Sequence, residues 1–296
     1  DLALDGIRQM LWGFFKKVVV ADNCALFVNG VFENYQTLDG STLFLGAFFF
    51  TIQIYGDFSG YSDIAIGCAR LFGIDLMQNF KYPYFSRDIA EFWRRWHISL
   101  TTWFRDYIYI PLGGSRAGKW KSFRNTLVIF LVSGFWHGAN WTFVAWGAYH
   151  ALLFLPLLLL GQNRRYRDSV AENSFLPSVK ELTQMGVTFL LVLLGWILFR
   201  SEDISQAAVY LERMFNASLF SAPQLVGLGF GQLLLKKCFF FTALMFIVEW
   251  IGRKQAHGLM IEDLSLPVRY VIYTVLLIII YGFDASNPQG FIYFQF

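Results

Sequence analysis

Long apolar runs that carry almost no charge constrain this chain more than any other feature. A helix that spans a bilayer needs about 20 mostly apolar residues, and six stretches of the 296-residue chain reach or approach that length. They are residues 41–55, two stretches within 126–160, and residues 182–199, 233–251 and 267–283. Polar residues interrupt several of them, which favours helices that pack against other helices or line a cavity. The pattern predicts an all-α fold in the form of a polytopic transmembrane helical bundle.

The composition agrees with a membrane protein and excludes several other classes. Charged residues make up 15% of the chain and hydrophobic residues 56%, whereas an ordinary soluble domain carries about 25% charged residues. Such a chain is neither intrinsically disordered nor a small secreted domain held by disulfides. A net charge of +3 gives no reason to expect a nucleic acid as a partner. The three cysteines lie far apart and lack metal-ligand spacing, so no metal site is expected.

Positive charge predicts the orientation of the chain. Residues 113–125 hold four basic residues and no acid, and residues 161–167 hold three arginines. Short basic loops face the cytoplasm, so the intervening residues 126–160 must enter the membrane and return. His137 lies 13 residues after Arg124, which is roughly 20 Å along a helix. His137 is therefore predicted to lie within the hydrocarbon layer.

Residues 88–107 predict a helix of a different kind, one that lies at the membrane interface. Asp88 can cap its start, with Glu91 as the return partner. Apolar side chains follow the spacing of one helical face. They are Ile89, Phe92, Trp93, Trp96, Leu100, Trp103, Phe104 and Tyr107. An aromatic face beside several arginines is typical of an interfacial helix, and His97 lies at its edge.

His137 is the strongest candidate for chemistry among the four histidines. An ionisable residue inside a membrane is functional by default, although spacing alone leaves a structural histidine equally open. A neutral imidazole can take the proton of a hydroxyl near neutral pH, as that oxygen attacks a thioester or ester carbonyl. His150 follows an apolar run and favours a packed structural role. His257 lies in a basic loop and is expected to be solvated.

Asp57 and Asp63 flank a short polar stretch and form a second candidate feature. Paired carboxylates can hold a metal or conduct protons. The favoured interpretation is a broken helix whose ends are capped by Asp and Ser side chains, with an indirect role in shaping a site.

Three stretches of the sequence resemble the membrane-bound O-acyltransferase (MBOAT) family. They are residues 53–65, 91–114 and 134–142. The sequence is most similar to the bacterial alginate O-acetyltransferase-like branch, which includes relatives acting on cellulose and peptidoglycan. The D-alanyl transfer branch shares the two-histidine plan. It is less similar, because residues 110–116 are typical of the alginate-like branch.

The resemblance implies a fold and a set of site residues. Residues 1–296 would form an MBOAT-type membrane domain with interfacial amphipathic helices and a central tunnel. Family members begin with further helices, so the chain would be the C-terminal part of a longer protein. His137 matches the presumed catalytic base and His97 a second functional position. The substrate-binding candidates are Asp57, Trp93, Arg94, Trp96, Arg105, Asp106, Trp136 and Asn140.

The resemblance also implies a function. The chain would transfer acetyl groups from a cytoplasmic thioester donor, either acetyl-CoA or an acyl carrier, across the bacterial inner membrane for O-acetylation of an exported polysaccharide. No tightly bound cofactor is expected. The expected partners are a periplasmic or secreted acetyl-transferring protein, the polysaccharide acceptor and membrane lipid. Two other classes stay open, namely a proton-coupled transporter using His137 with Asp57 and Asp63, and a non-catalytic scaffold of a secretion complex.

Overall fold

The computed structural model of the chain describes residues 2–116, 118–225, 231–283 and 290–291. Within these ranges the regular elements are helices and no strand is present, which confirms the predicted all-α class. The α-helices are α1 (Leu2–Phe14), α2 (Asp22–Glu33), α3 (Gly40–Leu71), α4 (Ile89–Arg95), α5 (Ile98–Phe104), α6 (Lys119–His137), α7 (Trp141–Leu159), α8 (Val179–Arg200), α9 (Ile204–Met214), α10 (Gln232–Ile251) and α11 (Leu266–Gly282). Two π-helical segments, Phe15–Ala21 and Arg105–Tyr109, and two 3-10 turns, Pro83–Phe85 and Ala217–Phe220, join them. The ends of the predicted 1–296 domain, residue 1 and residues 292–296, lie outside the described residues.

Each of the six predicted apolar stretches lies in a helix. They correspond to α3, α6, α7, α8, α10 and α11. Among the described residues, α7 and α8 are long and apolar enough to cross a membrane by length and composition, and α11 is apolar but shorter. The basic stretch 113–125 is not a loop throughout, because α6 already begins at Lys119.

The chain divides into two compact units, which are described separately. Unit 1 comprises Asp1–Gln78 and Glu212–Phe296, and unit 2 comprises Asn79–Leu211. Unit 1 therefore holds α1 to α3, α10 and α11, and unit 2 holds α4 to α8. Both candidate catalytic histidines, His97 and His137, belong to unit 2.

Buried ion pairs hold the first π-helical segment against α3 in unit 1. Lys16 Nζ lies 2.6 Å from Asp63 Oδ2, and Lys17 Nζ lies 2.6 Å from Asp57 Oδ1 and 2.7 Å from Asp22 Oδ1. With lysine partners supplied from outside the helix, the two carboxylates of α3 do not need to cap helix ends. The predicted break between Asp57 and Asp63 is therefore wrong. Both residues lie within one continuous helix, α3, which is 32 residues long.

His257 is another residue whose surroundings differ from the sequence-based expectation. It is 2% exposed, and its Nε2 lies 2.9 Å from Asp5 Oδ1. The expected solvated histidine is therefore a packed one. Asp5 lies more than 250 positions away in the sequence, so local composition gave no sign of this partner.

An antiparallel helical hairpin forms the centre of unit 2. Gly134 of α6 faces the backbone of Phe143 in α7, and Gly147 of α7 faces that of Phe130 in α6. A Cβ atom at either glycine would lie only 2.3 Å from the facing carbonyl oxygen. The two glycines thus permit an approach that larger residues would prevent, as is common where small residues meet between apolar helices.

Helix α8 packs antiparallel to α7. The Tyr149 hydroxyl donates to the carbonyl oxygen of Leu191 at 2.8 Å. At the far end, Asn140 Nδ2 donates to the carbonyl oxygen of Glu202 at 2.6 Å. The three helices thereby bring the end of α6, the start of α7 and the end of α8 together.

Candidate active site

His137 is the last residue of α6, where the three helices of unit 2 converge. Its imidazole is half-buried among aromatic rings, with ring centroids 4.9 Å from Trp136, 5.2 Å from Trp146 and 5.0 Å from Phe199. Gly138 ends the helix, and a Cβ atom there would lie 2.7 Å from the ring of Phe143. The helix end and these rings hold the imidazole in an aromatic pocket.

His97 lies at a break in the predicted interfacial helix. The predicted helix 88–107 is not continuous, because α4 ends at Arg95 and α5 begins at Ile98. Between them His97 adopts the left-handed conformation, with φ 46° and ψ 56°, which is unfavourable for a residue with a side chain. The predicted cap at Asp88 is confirmed, since its carboxylate accepts the Glu91 N–H at 2.7 Å.

Contacts from Asn79 stabilise the break between α4 and α5. Its carbonyl oxygen accepts the Ile98 N–H at 2.9 Å, and its Oδ1 accepts the Ser99 N–H at 3.3 Å. These are two of the donors that the first turn of a helix leaves without an intrahelical partner. Asn79 Oδ1 also lies 3.1 Å from His97 Nδ1. Sequence reasoning missed Asn79, because no local pattern links it to a helix start 19 residues later.

Both histidines approach the same indole ring. The Trp136 centroid lies 6.3 Å from that of His97 and 4.9 Å from that of His137. Trp136 is itself 52% exposed, so the edge of this pair is open to the surroundings. Burial lowers the pKa of His97 to about 4, and its ring is therefore neutral at pH 7.

Trp93 and Trp96 bury the aromatic face of α4. Trp96 packs against Phe80 and Trp196, each with a ring-centroid distance of 5.0 Å. Trp93 packs against Trp146 at 5.5 Å and His150 at 4.9 Å. Beyond the break the predicted face is buried only in part. Phe104 is 3% exposed, whereas Trp103 and Tyr107 are 50% and 67% exposed.

The arginine and aspartate candidates near this helix have protein partners. Arg94 donates to the carbonyl oxygens of Asn163 and Tyr166 and thereby holds the 161–167 loop. Arg105 pairs with its neighbour Asp106, with Nε 2.7 Å from Oδ1, at the surface. Arg94 therefore has a structural role, and substrate binding by any of the three candidates stays a prediction.

Asn140 and Asp57 also have structural partners. Asn140 caps α7, since its Oδ1 accepts the Thr142 N–H at 3.0 Å. Asp57 belongs to unit 1, where it pairs with Lys17. Substrate binding by either residue stays a prediction as well.

A buried ion triad that sequence reasoning missed anchors α4. Glu91 is 1% exposed, and its Oε1 lies 3.0 Å from Arg87 and 2.7 Å from Arg95. Both arginines also donate to the carbonyl oxygen of Asp168, at 2.8 and 3.0 Å. The signal available in the sequence was the spacing of four residues between opposite charges, which for Glu91 and Arg95 places both side chains on one face of α4.

The arrangement suits proton transfer by imidazole. Within the described ranges, no three His, Cys, Asp or Glu side chains group together in a way that could hold a metal ion. Two histidines beside one indole, in largely apolar surroundings, can exchange protons with a substrate hydroxyl or thiol. The two imidazoles lie at helix ends, since His137 is the last residue of α6 and His97 follows the end of α4.

These features define an all-helical protein with apolar spans and a histidine pair where its helices converge. Residues 28–169 match the family model of MBOAT, the membrane-bound O-acyltransferase family. The chain belongs to this family, as its three sequence stretches predicted.

Curated relatives agree with this assignment. The chain is 40% identical over 240 residues to the probable alginate O-acetylase AlgI of Pseudomonas aeruginosa, covering 79% of this chain and 44% of the relative. It is 39% identical over 202 residues to the peptidoglycan O-acetyltransferase of Helicobacter pylori, covering 68% and 37%. It is 29% identical over 214 residues to the teichoic acid D-alanyltransferase of Bacillus subtilis, covering 68% and 52%. The chain thus spans about half or less of the length of these relatives.

Proposed function

We propose that this chain carries the catalytic part of an O-acyltransferase that moves an acetyl group from a thioester to a hydroxyl. The observation that carries the proposal is the approach of His97 and His137 to one indole ring, Trp136, at the convergence of the unit 2 helices. The family match supports the reaction class, and the names of two matched relatives support acetyl as the group transferred.

In this reaction His137 is the general base. The acceptor hydroxyl oxygen attacks the thioester carbonyl carbon while the imidazole takes the hydroxyl proton. The tetrahedral intermediate then collapses, the carbon–sulfur bond breaks, and the imidazolium returns its proton to the departing thiolate. The products are an ester and a thiol, with no covalent intermediate on the protein. General-base assistance of this kind contributes about 10²- to 10⁴-fold in rate.

The proposal extends to the substrates and the cellular setting. The donor is a cytoplasmic thioester, either acetyl-CoA or an acyl carrier, and the final acceptor is an exported, alginate-like polysaccharide reached through a periplasmic or secreted partner. The protein works in the bacterial inner membrane as a multi-pass helical bundle with a central tunnel. The apolar helices α7 and α8 and the alginate O-acetylase relatives support this setting.

The ion pairs of unit 1 bear on the alternative of a proton-coupled transporter. That function needs carboxylates that take up and release protons during each cycle. Asp57 and Asp63 each have a lysine nitrogen at 2.6 Å, so both carboxylates are held in structural ion pairs. This pairing favours acyl transfer over transport as the function of the chain.

The test is acetyl transfer from a labelled acetyl thioester by the purified full-length protein. His137→Ala is expected to leave a folded, membrane-inserted protein whose transfer rate falls by about 10²- to 10⁴-fold. His137→Gln is expected to be no better, because an amide cannot accept the proton. The matched control is His257→Gln in unit 1, in which the amide can keep the hydrogen bond to Asp5. Near-normal transfer by a well-expressed His137→Ala protein would overturn the mechanism and favour a scaffold.

A further inference from the structure

The contact between Asn79 and His97 defines which ring nitrogen of His97 carries the proton. Asn79 Oδ1 lies 3.3 Å from the Ser99 backbone nitrogen, 3.0 Å from Ser99 Oγ and 3.1 Å from His97 Nδ1. A backbone N–H can only donate, so the Asn79 atom that faces it must be the amide oxygen. This contact fixes the orientation of the Asn79 side chain independently of His97.

The amide oxygen in turn determines the state of the imidazole. Two hydrogen-bond acceptors at 3.1 Å would repel each other, so one of the two atoms must supply a hydrogen. Asn79 Oδ1 has none, and therefore His97 Nδ1 carries it. In the neutral ring the lone pair then lies on Nε2. Ser99 Oγ lies 3.4 Å from Nδ1 and 3.0 Å from Asn79 Oδ1, so the shorter contact also directs its hydroxyl to the amide.

The backbone of Asn79 makes a second contact at the same helix break. The Asn79 carbonyl accepts the Ile98 N–H at 2.9 Å, so this one residue caps α5 and orients the side chain at the helix break. Next to it, Lys81 N–H donates to the Arg95 carbonyl at 3.0 Å. The segment around Asn79 is thus attached to the chain on both sides of His97.

We infer that Asn79 is a positioning residue, which holds His97 in the Nδ1–H tautomer and presents Nε2 to the substrate as a hydrogen-bond acceptor. The inference rests on the proposed acyl transfer and adds a residue to it. A neutral His97 held in this way accepts a hydrogen bond from a substrate O–H or N–H group. It does not donate one to the thioester carbonyl, so the oxyanion must be stabilised by another group.

The direct test reads the tautomer without reference to activity. The full-length protein is labelled with nitrogen-15 histidine, and the His97 signals are identified by comparison with His97→Gln. Long-range proton–nitrogen correlations are expected to show the hydrogen of His97 on Nδ1. In Asn79→Ala the Nε2–H tautomer is expected to appear, whereas Asn79→Asp keeps the acceptor oxygen and the Nδ1–H tautomer. A wild-type ring protonated on Nε2 would overturn the inference, even if Asn79→Ala failed to fold.

The kinetic test separates positioning from mere structural support. Asn79→Ala is expected to lower kcat/KM by no more than His97→Ala does, and by at most about 10²-fold, the order of loss that a misplaced group at the site causes. The double variant Asn79→Ala/His97→Ala is expected to be no slower than His97→Ala alone, because Asn79 acts through His97. The neighbouring change Gln78→Ala is the control and should leave kcat/KM unchanged.

The two kinetic outcomes also distinguish this inference from the proposed function. Losses that simply add in the double variant would overturn the positioning role while leaving acyl transfer intact. A wild-type protein without acetyl transfer would overturn the proposed function, and the tautomer would still be measured.

Discussion

At the scale of single residues, Trp96 packs the helix break at His97 against the rest of unit 2. It is 2% exposed and contacts Phe80, Phe92 and Trp196. Trp96→Ala removes these contacts and leaves a cavity, which costs about 3–5 kcal/mol of the free energy of unfolding. Thermal unfolding in detergent micelles should therefore show a clearly lower Tm for this variant.

A matched tryptophan tests whether burial is the cause. Trp120 is 78% exposed, so Trp120→Ala is expected to change the free energy of unfolding by no more than about 0.5 kcal/mol. Equal losses of stability in the two variants would contradict the packing assigned to Trp96.

His97 offers a second test at the residue scale. Its imidazole touches Trp136 at the edge of the pair, whereas His137 is enclosed by rings from three helices. His97→Ala is therefore expected to reduce acetyl transfer only partly, or to raise KM, with a smaller loss than His137→Ala. Steady-state kinetics of the two variants would check this order, and a larger loss at His97 would reverse the assigned roles.

Sequence reasoning identified His137 because it is a titratable residue in an apolar context, and such residues are rare, whereas His97 was assigned through its match to a family motif. It did not identify Asn79, since an asparagine in a polar segment has no distinguishing feature until the fold brings it to Ser99 and His97. It assigned Asn140 to substrate binding because Asn140 lies in the stretch 134–142 that resembles the family. The cap that Asn140 provides for α7 is visible only once the start of that helix is known.

At the scale of helices, the glycines of the α6–α7 hairpin decide how closely the elements approach. In Gly147→Ala the added Cβ would lie 2.3 Å from the Phe130 carbonyl oxygen, so the helices must separate. Overpacking of this kind costs about 1–3 kcal/mol. The expected result is a lower Tm in detergent together with reduced acetyl transfer, because His137 lies at the end of α6.

Gly186 in α8 is the control for this prediction. Among the described residues, a Cβ atom there meets no atom within 4 Å apart from its chain neighbours and its own helix backbone, and alanine is a better helix former than glycine by about 1 kcal/mol. Gly186→Ala should therefore leave the Tm unchanged or raise it. A stable, fully active Gly147→Ala protein would show that the close contact between α6 and α7 is not required.

Helix positions followed from apolar runs, but helix breaks did not. Periodicity predicts where a helix can bury its side chains, and all six predicted stretches lie in helices. Breaks depend on contacts from distant segments. Lys16 and Lys17 pair with the carboxylates of α3, which stays continuous through both positions. Asn79, by contrast, caps α5, and the predicted helix 88–107 breaks at His97.

At the scale of the whole molecule, the hairpin geometry of unit 2 agrees with the positive-charge argument. Helices α6 and α7 are antiparallel, so the turn before α6 and the loop after α7 lie at the same end. These are the segments 113–116 and 161–167, which belong to the stretches that the sequence predicts to be cytoplasmic. Helix α8 returns in the opposite direction and brings Glu202 beside Asn140 at the other end.

This topology gives a prediction for labelling with a membrane-impermeant thiol reagent. The full-length protein is first freed of its native Cys24, Cys68 and Cys238. Ser115→Cys and Gln162→Cys are then expected to react in inside-out vesicles and not in intact spheroplasts, because basic loops stay on the cytoplasmic side. Glu202→Cys lies beyond α8 and should show the reverse pattern, which makes it the matched control. Reaction of Ser115→Cys and Gln162→Cys on opposite sides would contradict the hairpin as a membrane-spanning unit, and reaction of both in spheroplasts would reverse its orientation.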